Sequence, residues 1–165
     1  MASLPTGSPL LLLLLLLSAS AFSTATARSP PKHHHLCLYV HNVTAVFAAS
    51  LNNPRHFGDL VVFDNVLREG PEPNSPLVGA MQGLGVSDDM TDVTSSTMFN
   101  LVFTGGKYNG SSIAGLGLFQ SVGVSEYTIV GGSGKFRLAS GYLLNIPVNS
   151  TTTLTTKIDA HIAFH

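Results

Sequence analysis

From Phe103 to Tyr142 the chain places glycine at the corners of short apolar runs. The stretch reads FTGGKYNGSSIAGLG, passes through a variable segment and resumes as YTIVGGSGKFRLASGY. Each glycine cluster precedes a run rich in β-branched and aromatic residues. That is the pattern of an antiparallel meander with tight corners. No stretch has the periodicity of an amphipathic helix.

The same alternation predicts about eight strands, over 36–43, 58–67, 77–86, 97–104, 108–118, 125–130, 135–146 and 153–164. Residues 45–57 read as a polar connection, and 87–96 as a polar turn region. The run REGPEPNSP, residues 68–76, is a loop because prolines and a glycine exclude regular structure. Short strands at regular spacing read as a barrel or a sandwich. Glycine bends inside strands favour the barrel, since closing a sheet needs corners and close backbone approach. The expected fold class is therefore all-β.

The leucines of 10–17 number eight and are followed by SASAFSTATA. That is a signal-peptide core, well short of the ~20 residues of a membrane span. Ala25, Thr26 and Ala27 fit the small-x-small cleavage rule, which sets the mature start at Arg28. The reading is a signal peptide over 1–27, a disordered leader over 28–35 and one domain over 36–165. No second apolar segment approaches spanning length, so no membrane partner is expected. Charged residues make up 10% of the chain and the net charge is −1, against a typical ~25% charged. Such a surface offers no basic stripe for phosphates, which argues against nucleic-acid binding.

Secretion makes the three N-x-[ST] sequons at Asn42, Asn109 and Asn149 candidate glycosylation sites. Cys37 is the one cysteine, so no intrachain disulfide forms. It reads as a small hydrophobe in the first strand. The run His33-His34-His35 has no Cys, Asp or Glu beside it to complete a ligand set, so it reads as solvated and no metal is expected.

Strand alternation then sorts side chains by face. Leu60, Val62 and Asp64 share one face of their strand; Val61, Phe63 and Asn65 share the other. Asp159 and His161 lie opposite Ile158, Ala160 and Ile162. Tyr108 lies opposite Asn109, so a glycan on Asn109 turns Tyr108 inward. An inward Asp64 and Tyr108 with Asp159 nearby would form a polar patch in an apolar barrel, suited to an aromatic ligand. A desolvated carboxylate there can serve as proton donor or acceptor. A turn position for Asp64, core packing for Tyr108 and a wet strand face for Asp159 and His161 are the competing readings. No G-x-S-x-G, H-E-x-x-H or P-loop is present.

Taken in order, LCLYVHNV, FGDLVVFDNVLREGPEPNSPLVGAMQG, NLVFTGGKYNGSSIAGLG, TIVGGSGKFRLASGY and DAHIAFH resemble the plant dirigent proteins over most of the mature chain. The resemblance implies an eight-stranded antiparallel barrel of the allene-oxide-cyclase type, assembled as a homo-oligomer (trimer or dimer) and secreted to the apoplast. It implies a guide that takes no cofactor. A separate laccase or peroxidase makes phenoxy radicals from a monolignol-like phenol. The barrel sets the stereochemistry of their coupling in phenylpropanoid or lignan metabolism.

The resemblance matches Asp64 and Tyr108 to family positions and leaves Arg137 as a remaining arginine. With Asp159 from the strand alternation, Asp64 and Asp159 are the candidate catalytic carboxylates, and Tyr108 and Arg137 the candidate substrate-binding residues. The chain departs from the family pattern at Asn65, where a second Asp is usual. Leu118 and Ser140 replace arginines, and Lys135 stands where lignan-forming members carry an acid. Two other readings stay open. One is an enzyme that dehydrates or closes a ring through a quinone methide; the other is a cell-wall binding module without chemistry.

Overall fold

The computed structural model describes residues 31–41, 46–49, 57–91, 94–148 and 155–164. The segment read as a signal peptide, and the sequons at Asn42 and Asn149, lie outside them. The strands are β1 (Lys32–His41), β2 (Val46–Ala49), β3 (Leu60–Arg68), β4 (Leu77–Val86), β5 (Thr94–Phe103), β6 (Ser112–Gln120), β7 (Ser125–Ser133), β8 (Ser140–Val148) and β9 (Thr155–Phe164). Two single-turn 3-10 helices, η1 (Gly106–Tyr108) and η2 (Gly134–Phe136), join β5 to β6 and β7 to β8.

The hydrogen-bonded order is β1-β9-β8-β7-β6-β5-β4-β3, antiparallel throughout. β1 then pairs back onto β3 through Tyr39↔Arg68, Val40↔Leu67 and His41↔Val66. The eight strands β1 and β3–β9 thus form the closed barrel that the sequence predicts. β2 extends the edge of β3 at Leu60–Val62, beyond the reach of β1. That stretch was expected as connection; its strand character depends on a partner edge that local pattern does not reveal. β1 likewise begins at Lys32, so the histidine tract is strand and not disordered leader.

The interior follows a size rule. Across β3, β4, β5 and β6 one inward row reads Phe63, Gly83, Phe99, Gly115 in register. A Cβ on Gly115 would stand 2.3 Å from the Phe99 ring, and one on Gly83 would stand 2.7 Å from Phe99 Cβ and 2.8 Å from the Phe63 ring. The glycines are the space into which the phenylalanines fit. Tyr127 meets Phe99 edge-on at 5.0 Å and 88°. Leu38, Leu67, Leu101, Ile113, Leu143, Ile158 and Ile162 are among the other buried core residues. A bulge between Ala114 and Gly115 adds local bend where the glycine row lies.

Gly115→Ala is expected to lower stability by about 1–3 kcal/mol through overpacking against Phe99, measured by denaturant titration. Gly131→Ala, where a Cβ meets nothing within 4 Å, is the matched control and should change little.

Tyr127 is 1% exposed. Burial pushes its phenol pKa up, while the side chains of Ser125 and Asn145 pull the other way. A raised folded-state pKa means the folded form holds its proton longer than the unfolded chain does. The contribution is therefore fully present below the unfolded value of ~10. It is lost as pH rises from there through the folded-state pKa. Tyr127→Phe should remove this alkaline loss from a stability-versus-pH curve; an unchanged alkaline limb would place its origin elsewhere.

Candidate functional site

The two 3-10 turns are written alike. Gly106-Lys107-Tyr108 and Gly134-Lys135-Phe136 each open on a glycine in the left-handed region, at φ 64° and 58°. A side chain there would be strained, and the turn is what swings the following aromatic ring inward. The turns are tied together: Lys135 Nζ donates to the Lys107 carbonyl, Lys135 N–H donates to Ser111 Oγ at 3.1 Å, and Ser112 and Ser133 share a hydroxyl bond at 2.8 Å. Their rings meet with centroids 4.8 Å apart. Phe103 lies 5.5 Å from Tyr108 and 5.4 Å from Phe136, so three rings form one aromatic cluster at this end of the barrel.

A cleft of about 350 Å³ opens beside that cluster. Leu36, Leu38, Val78 and Phe103 form its apolar wall, and Glu69, Lys107 and Tyr108 line it as well. Lys107 Nζ stands 4.7 Å from the centre of the Tyr108 ring, a cation–π distance. Glu69 begins a stiff loop. Its N–H donates to the Pro76 carbonyl at 3.0 Å, Arg68 Nη1 donates to the Ser75 carbonyl at 2.6 Å, and Ser75 Oγ donates to Gly70 and Glu72. Buried His41 braces the loop, its Nε2 lying 2.9 Å from the Gly70 carbonyl. An apolar wall with a phenol, a carboxylate and an ammonium at one side suits an aromatic molecule bearing a hydroxyl. The carboxylate can take a phenolic proton, and the cation can stabilise the oxygen it leaves.

The sequence-predicted residues are not gathered here as a set. Tyr108 is half-buried, packs on the core and lines the cleft, though from a 3-10 turn and not a strand. Asn109 beside it is exposed. Asp64 does not point inward. The inward residues of β3 are Phe63, Asn65 and Leu67, so Asp64 shares the outer face with Val62 and accepts from Gln82 Nε2 at 3.2 Å. The alternation was right and its assignment to faces reversed, because the large Phe63 ring takes the lumen side. Arg137 is exposed on the turn after Phe136 and does not line the cleft. Neither does Asp159.

Asp159 stands on the outer face of β9, as Ile158, Ala160 and Ile162 fill the interior. Its Oδ2 accepts from Lys157 Nζ at 2.9 Å, and its Oδ1 pairs with His35 Nε2, with His161 Nε2 3.6 Å away. Lys157, then His35, hold its carboxyl below the usual carboxylate range. The histidine tract therefore does have a carboxylate beside it, supplied by the opposite end of the chain. Half-buried Cys37 is the register partner of Asp159.

Glu69, Lys107, Phe103 and Phe136 were not singled out from sequence. The repeated glycine-lysine-aromatic triplet was a readable signal for Lys107 and Phe136. Glu69 had none, since its place depends on the β1–β3 closure.

Comparison with known proteins agrees with this architecture. A family model described as dirigent-like protein matches residues 33–163. Dirigent protein 1 of Arabidopsis thaliana is 41% identical over 129 residues, which is 70% of each chain. Pterocarpan synthase 1 of Glycine max is 38% identical over 120 residues, 66% of this chain and 64% of that one, so less than two thirds of that relative is matched. The solved structure of a pterocarpan synthase dirigent protein superimposes with a TM-score of 0.71 at 30% identity, over 82% of this chain and 87% of the other. Family model, sequence relatives and barrel converge, and the chain belongs to the dirigent protein family.

Proposed function

We propose that this protein holds one phenolic molecule of the monolignol type in the Tyr108 cleft and fixes which face of it reacts. The supporting observation is the aromatic cluster of Phe103, Tyr108 and Phe136 beside the Glu69 carboxylate and the Lys107 ammonium. In this reading a laccase or peroxidase outside the protein generates the phenoxy radical. The cleft exposes one face of it to a second radical arriving from solvent. Orientation alone suffices, since a preference of about 1.4 kcal/mol between competing approaches gives tenfold selectivity.

A second reading is ring closure or dehydration through a quinone methide, with Glu69 and Tyr108 moving the protons. One observation favours it: relatives of this chain include proteins named pterocarpan synthase. The cleft of about 350 Å³ is near the small end of ligand sites, roughly 300–1,000 Å³, and admits one substrate in either reading.

Chiral product analysis separates these readings. With coniferyl alcohol and a laccase, the coupling reading expects an enantiomeric excess that falls in Tyr108→Phe and is kept in Asp64→Asn. The Asp64→Asn change should also alter stability by no more than about 0.5 kcal/mol, as for other surface positions. A racemic product from wild type would remove coupling of this phenol. Turnover of a phenolic benzylic alcohol without any oxidant would carry the ring-closing reading. Neither activity would leave the wall-binding module.

The protein is further proposed to be a secreted homo-oligomer. On the outer surface Val62, Leu84, Met98 and Leu116 stand in one register row across β3–β6, with Met98 52% and Leu116 45% exposed. A contiguous apolar row on so weakly charged a chain suits contact with a second copy. Secreted material is expected to begin at Arg28 and sediment as a trimer, and Met98→Glu with Leu116→Glu to sediment as a monomer. A wild-type monomer at micromolar concentration, or a retained leader, would overturn these two expectations.

A further inference from the structure

On the far side of the barrel from that apolar row, three strands assemble a different chemistry. β1 and β9 are register neighbours with His35 directly opposite His161, and β8 places Tyr142 opposite His161 on the other side. Three donor atoms, one each from His35, Asp159 and His161, lie within 4.8 Å of one another. We propose that His35, Asp159 and His161 form a binding site for one divalent transition-metal ion, zinc or copper(II), which ties the first strand of the barrel to the last.

The donor set suits such an ion. Imidazole nitrogens and one carboxylate oxygen are the ligands that zinc and copper(II) take, and three protein ligands leave positions for water. Ligand atoms about 2.0–2.1 Å from a tetrahedral zinc stand roughly 3.4 Å apart. His161 Nε2 and Asp159 Oδ1 are 3.6 Å apart, so the ion requires only small side-chain adjustment there. His35 Nε2 contacts the same Oδ1 directly. Metal entry replaces that hydrogen bond by two bonds to the ion, and any proton on the coordinating nitrogen passes to solvent.

The outer contacts already orient the ligands. Lys157 Nζ occupies Oδ2 of Asp159, which leaves Oδ1 turned to the histidines. The Tyr142 ring stacks on the His161 imidazole at 4.7 Å and 14°, fixing its plane. Such supporting contacts are what distinguish a built site from a chance cluster. The histidines are 57% and 46% exposed at their side chains and Asp159 17%, so the ion has an open approach and the carboxylate sits at the floor.

The rival explanation for metal binding is the linear run His33-His34-His35, which needs no fold. His34 belongs to the inner face, where its ring stacks on Phe164 at 4.8 Å. Titration of the purified protein with ZnCl2 by calorimetry should show one equivalent bound per chain and a rise in Tm. His161→Ala and Asp159→Asn should each weaken binding by more than the about 10–100-fold that loss of an outer contact costs. His33→Ala with His34→Ala should leave it unchanged. Copper(II)-loaded protein should show nitrogen coupling from two imidazoles by electron paramagnetic resonance, and from one in His161→Ala. Zinc binding that survives His161→Ala but is lost in the His33/His34 double variant would overturn the site. So would wild-type binding weaker than about 1 mM.

Discussion

The barrel depends on how Phe63 and Phe99 share the lumen with Gly83 and Gly115. A closed sheet of eight strands has an interior just wide enough for side chains to fill. Two large rings in one layer need two neighbours with no side chain at all, and the register supplies them alternately across β3–β6. The arrangement is set by repulsion as much as by burial, since a methyl group at either glycine would sit inside the van der Waals radius of a ring. It also decides polarity at a distance. Because Phe63 takes the inside of β3, its neighbour Asp64 must take the outside.

Where β5 turns into β6 and β7 into β8, the chain uses one device twice, a left-handed glycine followed by lysine and an inward aromatic ring. Tyr108 and Phe136 pack against Phe103 and against each other, while the lysines are exposed. The polar groups of the cleft beside Tyr108 come from η1 and from the loop after β3. These two segments are brought together by the start of β4, which pairs with β3 on one side and β5 on the other. The pairing of β1 with β3 adds the wall of Leu36 and Leu38. A ligand held there would rest on rigid rings and meet a carboxylate and an ammonium at the rim, which favours selection by orientation.

The outer surface changes character around one ring of residues. Val62, Leu84, Met98 and Leu116 are apolar; Thr128, Tyr142, His161 and His35 continue the same register row and are polar or titratable. One half suits contact with another copy of the chain, and the other suits an ion. With so few charged residues overall, the cluster around Asp159 is a local concentration of electrostatics on β1 and β9.

The fold class was determined by the sequence, because period-two alternation and glycine corners are local properties that each strand carries by itself. The limits of β4 at Leu77 and Val86 were readable to the residue, since prolines and polar turns flank it. The sorting of residues onto alternate faces was readable too. Which face is inside was not: that depends on which side chains meet across strands, and Phe63 over Gly83 decides it only once β3 lies beside β4. Likewise β2 could not be recognised without the free edge of β3, nor Glu69 without the closure of β1 on β3. His35 and Asp159 are 124 residues apart in the chain, and only the pairing of the first strand with the last puts an imidazole against a carboxylate. Local pattern chooses strands; long-range register, set by how large rings share a small lumen, chooses what those strands place together.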